Sequence, residues 1–376
     1  MNEAGKRFGG KLVVVTGAGS GIGRATALGF AANGAQVVAA DLNLATATSV
    51  CGLIAGHGGT AHARQVDVSA AADMERFANW VRTEVGVPDV VVNNAGIAVV
   101  GPLLAHTEED WQRIIGVNLL GVARGCRLFG AQMAERGAGG HLVNIASAAA
   151  FAPSASLPAY ATTKAAVRML SECLRAELAA AGIGVTAICP GFTSTPIARS
   201  ARYVGITPGA EDQVRENIAR ALSRRRFPPE RVALAVMRAV LRDQPVVPVN
   251  AEARILYALS RLAPGSLRAL AGAGIGVSAI CPGFTSTPIA RSARYVGAPL
   301  GAADEVRENA IRALRRRRFP PEKVALAVMR AVLHDQPVVP VNAEARILYV
   351  LSRLAPSALR ALARLEARRS PLGAGR

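Results

Sequence analysis

Short apolar runs and amphipathic stretches alternate through the first half of the chain. Leu12–Val15 is an unbroken aliphatic run, the composition of a parallel strand buried on both faces. From Arg24 to Asn33 the apolar positions recur at helical spacing, and Gly34 stops them. Gln36–Ala40 reads as a second strand, closed by Asp41. Further strands are predicted at Ala63–Val66, Val90–Asn93 and His141–Ile145, with helices between them, including Thr107–Phe129. Strands and helices in strict alternation predict an α/β fold: a Rossmann-like, doubly wound parallel sheet with helices on both faces.

The second half repeats itself. Residues 182–271 and 274–363 align at a constant offset of 92, and 76 of the 90 aligned positions carry the same letter. The word "CPGFTSTPIARSARYVG" occurs at Cys189–Gly205 and again at Cys281–Gly297. A solenoid needs about three or more stacking units, so two copies read as one tandem duplication of a C-terminal βα segment. The expected organisation is a domain over 1–273, then a second copy with a basic helical tail over 274–376. In copy one, Gly184–Cys189 is a predicted strand, Phe192–Arg226 a lid, and Pro229–Arg242 a helix. Val246–Val249 is a strand, and Glu252–Leu270 a helical tail interrupted at Pro264.

Charge follows the same division. Residues 1–181 hold 14 basic and 13 acidic side chains, whereas residues 182–376 hold 30 and 13. The runs Arg224–Arg226 and Arg315–Arg318 suit a solvated helix face, an anionic lipid surface or an acidic substrate. With no aromatic stacking platform beside them, nucleic acid is not expected. Five scattered cysteines and five histidines without ligand spacing suggest a reducing cytoplasm and no metal site. No apolar run approaches the roughly 18–20 residues of a membrane span, and the first residues do not read as a signal peptide.

Two constellations carry chemistry. The loop Thr16–Gly23 places Gly17, Gly21 and Gly23 between a strand and a helix, with Ser20 and Ile22 among them. Glycines there allow close approach to a pyrophosphate, and the helix N-terminus offers free N–H groups. Asp41 ends the next strand, where a carboxylate accepts ribose hydroxyls and repels a 2′-phosphate. No basic residue stands at Ser20 or Leu42, Arg24 being the one nearby exception, so NAD is favoured over NADP. Downstream, Tyr160 and Lys164 lie at i and i+4 of a helix, so both face one way. A neighbouring ammonium is expected to lower the phenol pKa and make the tyrosine a general acid/base. Ser147 ends a strand thirteen residues upstream, and Asn118 sits mid-helix.

With these pieces in order, residues 1–273 resemble the short-chain dehydrogenase/reductase family. The resemblance rests on "TGAGSGIG", "DV" at Asp67-Val68, "NNAG" at Asn93–Gly96, Asn118, Ser147, "YATTK" and "PGFTST". It implies a sheet in the order 3-2-1-4-5-6-7. It also implies that Tyr160 exchanges a proton with the substrate oxygen, that Ser147 orients that oxygen, and that Lys164 tunes Tyr160 and holds the nicotinamide ribose. Asn118 would support a water in the proton relay. Ile22 would lie beside the pyrophosphate, Asp67 and Val68 against the adenine, and Asn94, Ala95 and Gly96 along the adenosine. Pro190, Gly191 and Thr195 would receive the nicotinamide.

The implied activity is hydride transfer between NAD(H) and a hydrophobic or lipid-like secondary alcohol or ketone, in a homo-oligomer (dimer or tetramer). The alternative is a non-catalytic NAD-binding or membrane-associating protein altered by the duplication. Copy two has no phosphate loop, Ser147, Asn118 or Tyr160 counterpart, so no second active site is expected. Copy one is expected to complete the sheet. Copy two could instead replace it, or pair with a partner subunit by exchange.

Overall fold

A strand covered on both faces needs apolar side chains at successive positions, and β1 (Leu12–Thr16) supplies them with every residue buried. The computed structural model describes residues 7–206, 209–224, 227–263, 278–283, 289, 293, 303–316, 319–334, 336 and 338–369. They fall into two units, Met1–Ala271 and Gly272–Arg376.

In the first unit β1 is followed by β2 (Gln36–Asp41), β3 (Ala61–Gln65), β4 (Val90–Asn93), β5 (Gly140–Ile145), β6 (Ile183–Cys189) and β7 (Val246–Pro248). They form one seven-stranded parallel sheet in the order 3-2-1-4-5-6-7. A right-handed crossover through a helix between parallel neighbours explains the alternation read in the sequence. The strand predicted at Ala63–Val66 begins two residues earlier and ends one earlier.

Alternate residues of each strand serve opposite faces. Val13 and Val15 point to α1 (Gly21–Ala32), α2 (Leu44–Gly56) and α9 (Pro229–Leu241), where Phe30, Ile54, Val232 and Val236 are buried. Leu12 and Val14 point to α3 (Ala71–Trp80), α5 (Gly121–Arg136) and α6 (Pro158–Glu177), where Phe77, Phe129 and Val167 are buried.

The predicted helix over Thr107–Phe129 is longer. Thr107 is its cap, its hydroxyl accepting from Asp110 N at 3.3 Å. α4 (Glu108–Ile115) runs through a π turn at Gly116–Leu120 into α5. By length and mean hydropathy this continuous helix could cross a bilayer, which a search for unbroken apolar runs does not register. Its Val122, Phe129 and Met133 are instead buried in the core beside the sheet.

α7 (Ile197–Ser200), α8 (Glu211–Arg224) and α10 (Ala251–Leu262) complete the unit. Arg225, Arg226, Arg317, Arg318, residues 264–270 and, in the second copy of the repeated word, residues 284–288, 290–292 and 294–297 lie outside the described residues.

The second unit contains β8 (Ala279–Cys281) and β9 (Val338–Pro340), paired in parallel. Its helices are α11 (Ala303–Arg316), α12 (Pro321–Leu333), α13 (Ala343–Leu354) and α14 (Pro356–Arg369).

Candidate active site

The loop from β1 into α1 folds back on itself because two glycines permit it. Gly17 has φ +62°, and a Cβ there would sit 2.8 Å from Ala95 Cα. A Cβ on Gly23 would collide with the Gly17 carbonyl oxygen. Asn94 ties the loop to the end of β4, its Nδ2 donating to Thr16 O at 2.9 Å and to Gly17 O at 3.0 Å. The N-terminus of α1 is open. Its cap residue Ser20 is extended and makes no side-chain cap, and no acid stands in the first turn. Its amides and partial positive charge therefore remain for an anion.

At the end of β2 the Asp41 carboxylate is fixed from two sides. Oδ2 accepts from Gly19 N at 2.8 Å and Oδ1 from Asn43 N at 3.0 Å. Asp67, past the end of β3, accepts from Ser69 N at 2.8 Å and Ser69 Oγ at 2.6 Å. Both bonds are local, so this turn is held rigid beside Val68.

Ser147 follows β5, and its Oγ accepts from Ala149 N at 3.1 Å. Tyr160 and Lys164 sit one turn apart on α6, with Lys164 Nζ 5.7 Å from the Tyr160 ring centroid. Nζ donates to Ile145 O at 2.8 Å, and the residue is 3 % exposed. Burial lowers the Lys164 pKa to about 8, slightly opposed by Cys189.

Burial also raises the Tyr160 phenol, opposed by its hydrogen bond with Ser147. This corrects the expected direction. The phenol is not depressed in the protein alone, because desolvation of the phenolate outweighs the Ser147 hydrogen bond that favours it. Gly96 stands between Lys164 and Asn118, since a Cβ there would lie 3.3 Å from Nζ and 3.4 Å from Asn118 Oδ1.

Asn118 occupies the π turn and is fully buried. Its Oδ1 accepts from Ile97 N at 2.9 Å, and Nδ2 donates to Ile97 O at 3.0 Å and Thr163 Oγ1 at 3.2 Å. The amide is thus spent on pinning the chain after β4 to α6. Its side chain does not line the cavity described next.

Pro190, Gly191 and Thr195 follow β6. Gly191 N donates to Asn250 Oδ1 at 3.1 Å, and the Thr195 methyl would lie 3.2 Å from a Cβ on Gly21, close over the start of α1.

One cavity of about 670 Å³ runs past these groups. Gly17, Ser20, Gly21, Ile22 and Asp41 line one end, with Asp67, Val68, Asn94, Ala95 and Gly96 beside them. Ser147, Tyr160, Lys164, Pro190, Gly191 and Thr195 line the rest. Of the expected site residues, only Gly23 and Asn118 stay behind the wall and shape it. The sequence reading missed Ile218 on α8, and Glu252 and Leu256 on α10, all of which line the cavity. Glu252 and Leu256 stand four residues apart on one helix face, a spacing visible in the sequence but assigned to the tail.

A model of the short chain dehydrogenase family matches residues 11–203. Among curated proteins, "Probable oxidoreductase EphD" of Mycobacterium tuberculosis is 48 % identical over 268 residues. That match covers 70 % of this chain and only 45 % of the relative, so this chain spans less than half of that protein's length. "Putative oxidoreductase SadH" of the same organism is 33 % identical over 272 residues, covering 71 % of this chain and 96 % of that one. A short-chain dehydrogenase/reductase from Burkholderia phymatum, solved in complex with NAD, superposes with a TM-score of 0.64 at 28 % identity. It covers 74 % of this chain and all of that chain. Glycine loop, strand order, tyrosine–lysine turn and sequence match agree, and the chain belongs to the short-chain dehydrogenase/reductase family.

Proposed function

We propose that this chain transfers hydride between NAD(H) and an apolar secondary alcohol or its ketone. The observation that carries the reading is that Ser147, Tyr160 and Lys164 share one cavity with the glycine loop and Asp41. A dinucleotide fits the residues present. Gly17 and Gly23 leave a cradle that side chains would fill, the uncapped α1 N-terminus suits a pyrophosphate, and Asp41 suits two ribose hydroxyls. The fixed carboxylate disfavours a 2′-phosphate, which supports NAD over NADP.

When bound, the nicotinamide supplies or takes the hydride. The chain's residues handle the proton. Ser147 Oγ and Tyr160 Oη grip the substrate oxygen. In ketone reduction Tyr160 gives its proton to the oxygen as negative charge develops there, and in alcohol oxidation it takes the proton back. A phenol raised by burial holds its proton at neutral pH, the state reduction requires. The Lys164 ammonium then stabilises the phenolate left behind. Asn118 acts by holding Ile97 and Thr163, which seat α6 against the cavity.

Ala148, Ala149, Leu157, Ile197, Ile218 and Leu256 line the cavity with apolar surface, which supports a hydrophobic substrate. We read residues 1–273 as the catalytic domain and 274–376 as a duplicated segment without a site of its own. A homo-oligomer is part of this reading, by analogy with the family.

The test is turnover over a panel of secondary alcohols with NAD and with NADP. Turnover with NAD is expected, and Tyr160→Phe should abolish it. Equal activity in that variant would overturn the mechanism.

A further inference from the structure

The repeated residues carry two different surroundings, and the difference identifies a surface. In the first unit β6 pairs with β5 over six residues, and α9 packs against α1. Met237 Sδ lies 3.6 Å from Asn33 Nδ2, and its Cε would be 3.2 Å from a Cβ on Gly29. Arg175 of α6 is 7 % exposed and donates through Nη1 to Val185 O at 3.0 Å and Asp243 Oδ1 at 2.8 Å. The edge of β5, the outer face of α1 and Arg175 thus form a slot that residues 182–263 fill.

The second unit builds the same insert. Ala279 pairs with Val338, as Ala187 pairs with Val246, so the register carries over at the offset of 92. Val341 N donates to Cys281 O at 3.0 Å, as Val249 N does to Cys189 O at 3.1 Å. Asn342 caps α13 through Ala345 N, as Asn250 caps α10 through Ala253 N. Residues facing the insert's own interior stay buried in both copies, namely Ala239 and Ala331, and Ala253 and Ala345. Residues that copy one spends on the slot are bare in copy two. Val236 is fully buried while Val328 is 40 % exposed, and Met237 is 9 % exposed while Met329 is 61 %. Cys189 is buried and Cys281 exposed.

Of the 14 sequence differences one meets the slot's strand, Thr186, whose Oγ1 lies 2.8 Å from His141 Nε2, and its counterpart Ser278 keeps the hydroxyl. Val324, Val328, Met329, Asp335 and Asn342 keep the letters of Val232, Val236, Met237, Asp243 and Asn250. Each chain therefore holds one slot and two segments shaped for it.

We propose that the second unit docks in the slot of a second copy of this chain, by reciprocal exchange with that copy's residues 182–263. Exchange preserves the contacts of the closed chain, so it costs little beyond association. Fourteen residues, 264–277, separate the last described residue of copy one from the first of copy two, a contour of at most roughly 45 Å. The exchange would also change the pocket, because the cavity residue Ile218 has Ala310 as its counterpart.

The test uses two full-length chains, differently tagged and produced together, with Cys173 and Cys281 replaced by serine in both. One carries Asn33→Cys and the other Met329→Cys, and a short bismaleimide is added. A link between positions 33 and 329 that joins the two tags is expected. A single chain carrying Asn33→Cys and Met237→Cys reports the reach of the reagent. Linkage in that chain with none between tags would overturn the proposal. So would a link between positions 33 and 329 that forms only within one chain, read from a chain carrying both substitutions. A second measurement does not depend on cross-linking. Val236→Asp, which bars copy one from the slot, should leave the full chain folded, while Val236→Asp with Val328→Asp should not. Equal loss of the thermal transition in both would overturn it. Neither readout depends on turnover, so failure of the catalytic reading would be seen separately.

Discussion

The helices α9 and α12 differ by one residue in thirteen, PERVALAVMRAVL against PEKVALAVMRAVL, and share the same cap geometry at Pro228 and Pro320. One buries its valines against a sheet and the other leaves Val328 open to solvent. An amphipathic pattern says that a face exists to be covered. It does not say what covers it. The partner of α9 comes from residues 7–181, which occur once per chain, and all the groups proposed to handle the proton come from there too. The comparison is therefore between unique residues, whose loss nothing else in the chain repairs, and repeated residues, whose contribution depends on which copy is seated.

The largest effect is expected at a unique residue of the site. Tyr160→Phe should lower kcat by about 10²–10⁴-fold, with NADH binding retained by equilibrium titration. Next comes the slot itself. Phe30 is fully buried and meets Phe8 edge to face at 4.8 Å, so Phe30→Ala should cost about 3–5 kcal/mol in denaturant unfolding.

Lys164 gives a comparable effect of opposite sign. Its folded pKa of about 8 lies below the ordinary 10.5, so the unfolded chain binds more protons between those values and stability rises with pH across them. Without cofactor, Lys164→Met should therefore be more stable than the parent at pH 7, by on the order of 3 kcal/mol, and inactive. That advantage should shrink as pH climbs from about 8 to 10.5. A constant difference over that range would show that Lys164 is not held at a depressed pKa.

The smallest effects compare the copies directly. In dilute solution, where the chain stays unexchanged, Val236→Ala should cost about 2 kcal/mol and Val328→Ala about 0.5 kcal/mol or less, read from denaturation curves. At concentrations that permit exchange the two costs should converge, and equal costs in the dilute chain would erase the distinction between the copies.

Much of this was legible in the sequence. Runs such as Leu12–Val15 and Val90–Asn93 are apolar at nearly every position because both faces of the sheet are covered, and the strand order follows from the family resemblance. The loop, Asp41, Ser147, Tyr160 and Lys164 were legible because each sits at the end of a strand or within one turn of a helix, where local spacing fixes neighbours. Three things were not. The π turn at Asn118 depends on packing around Ile97 and Thr163, which are distant in sequence. The direction of the Tyr160 shift depends on desolvation, which only depth in the fold determines. The place of Glu252 and Leu256 in the cavity depends on α10 packing beside the residues after Ser147, and its composition reads equally well as a surface tail.

Repeated letters do not make a repeated site: the glycine loop, Asp41 and Lys164 occur once, whatever the second unit occupies. Titrating NADH onto the purified full-length chain and counting the equivalents bound tests this most directly. One dinucleotide per chain is predicted. Two per chain would contradict it.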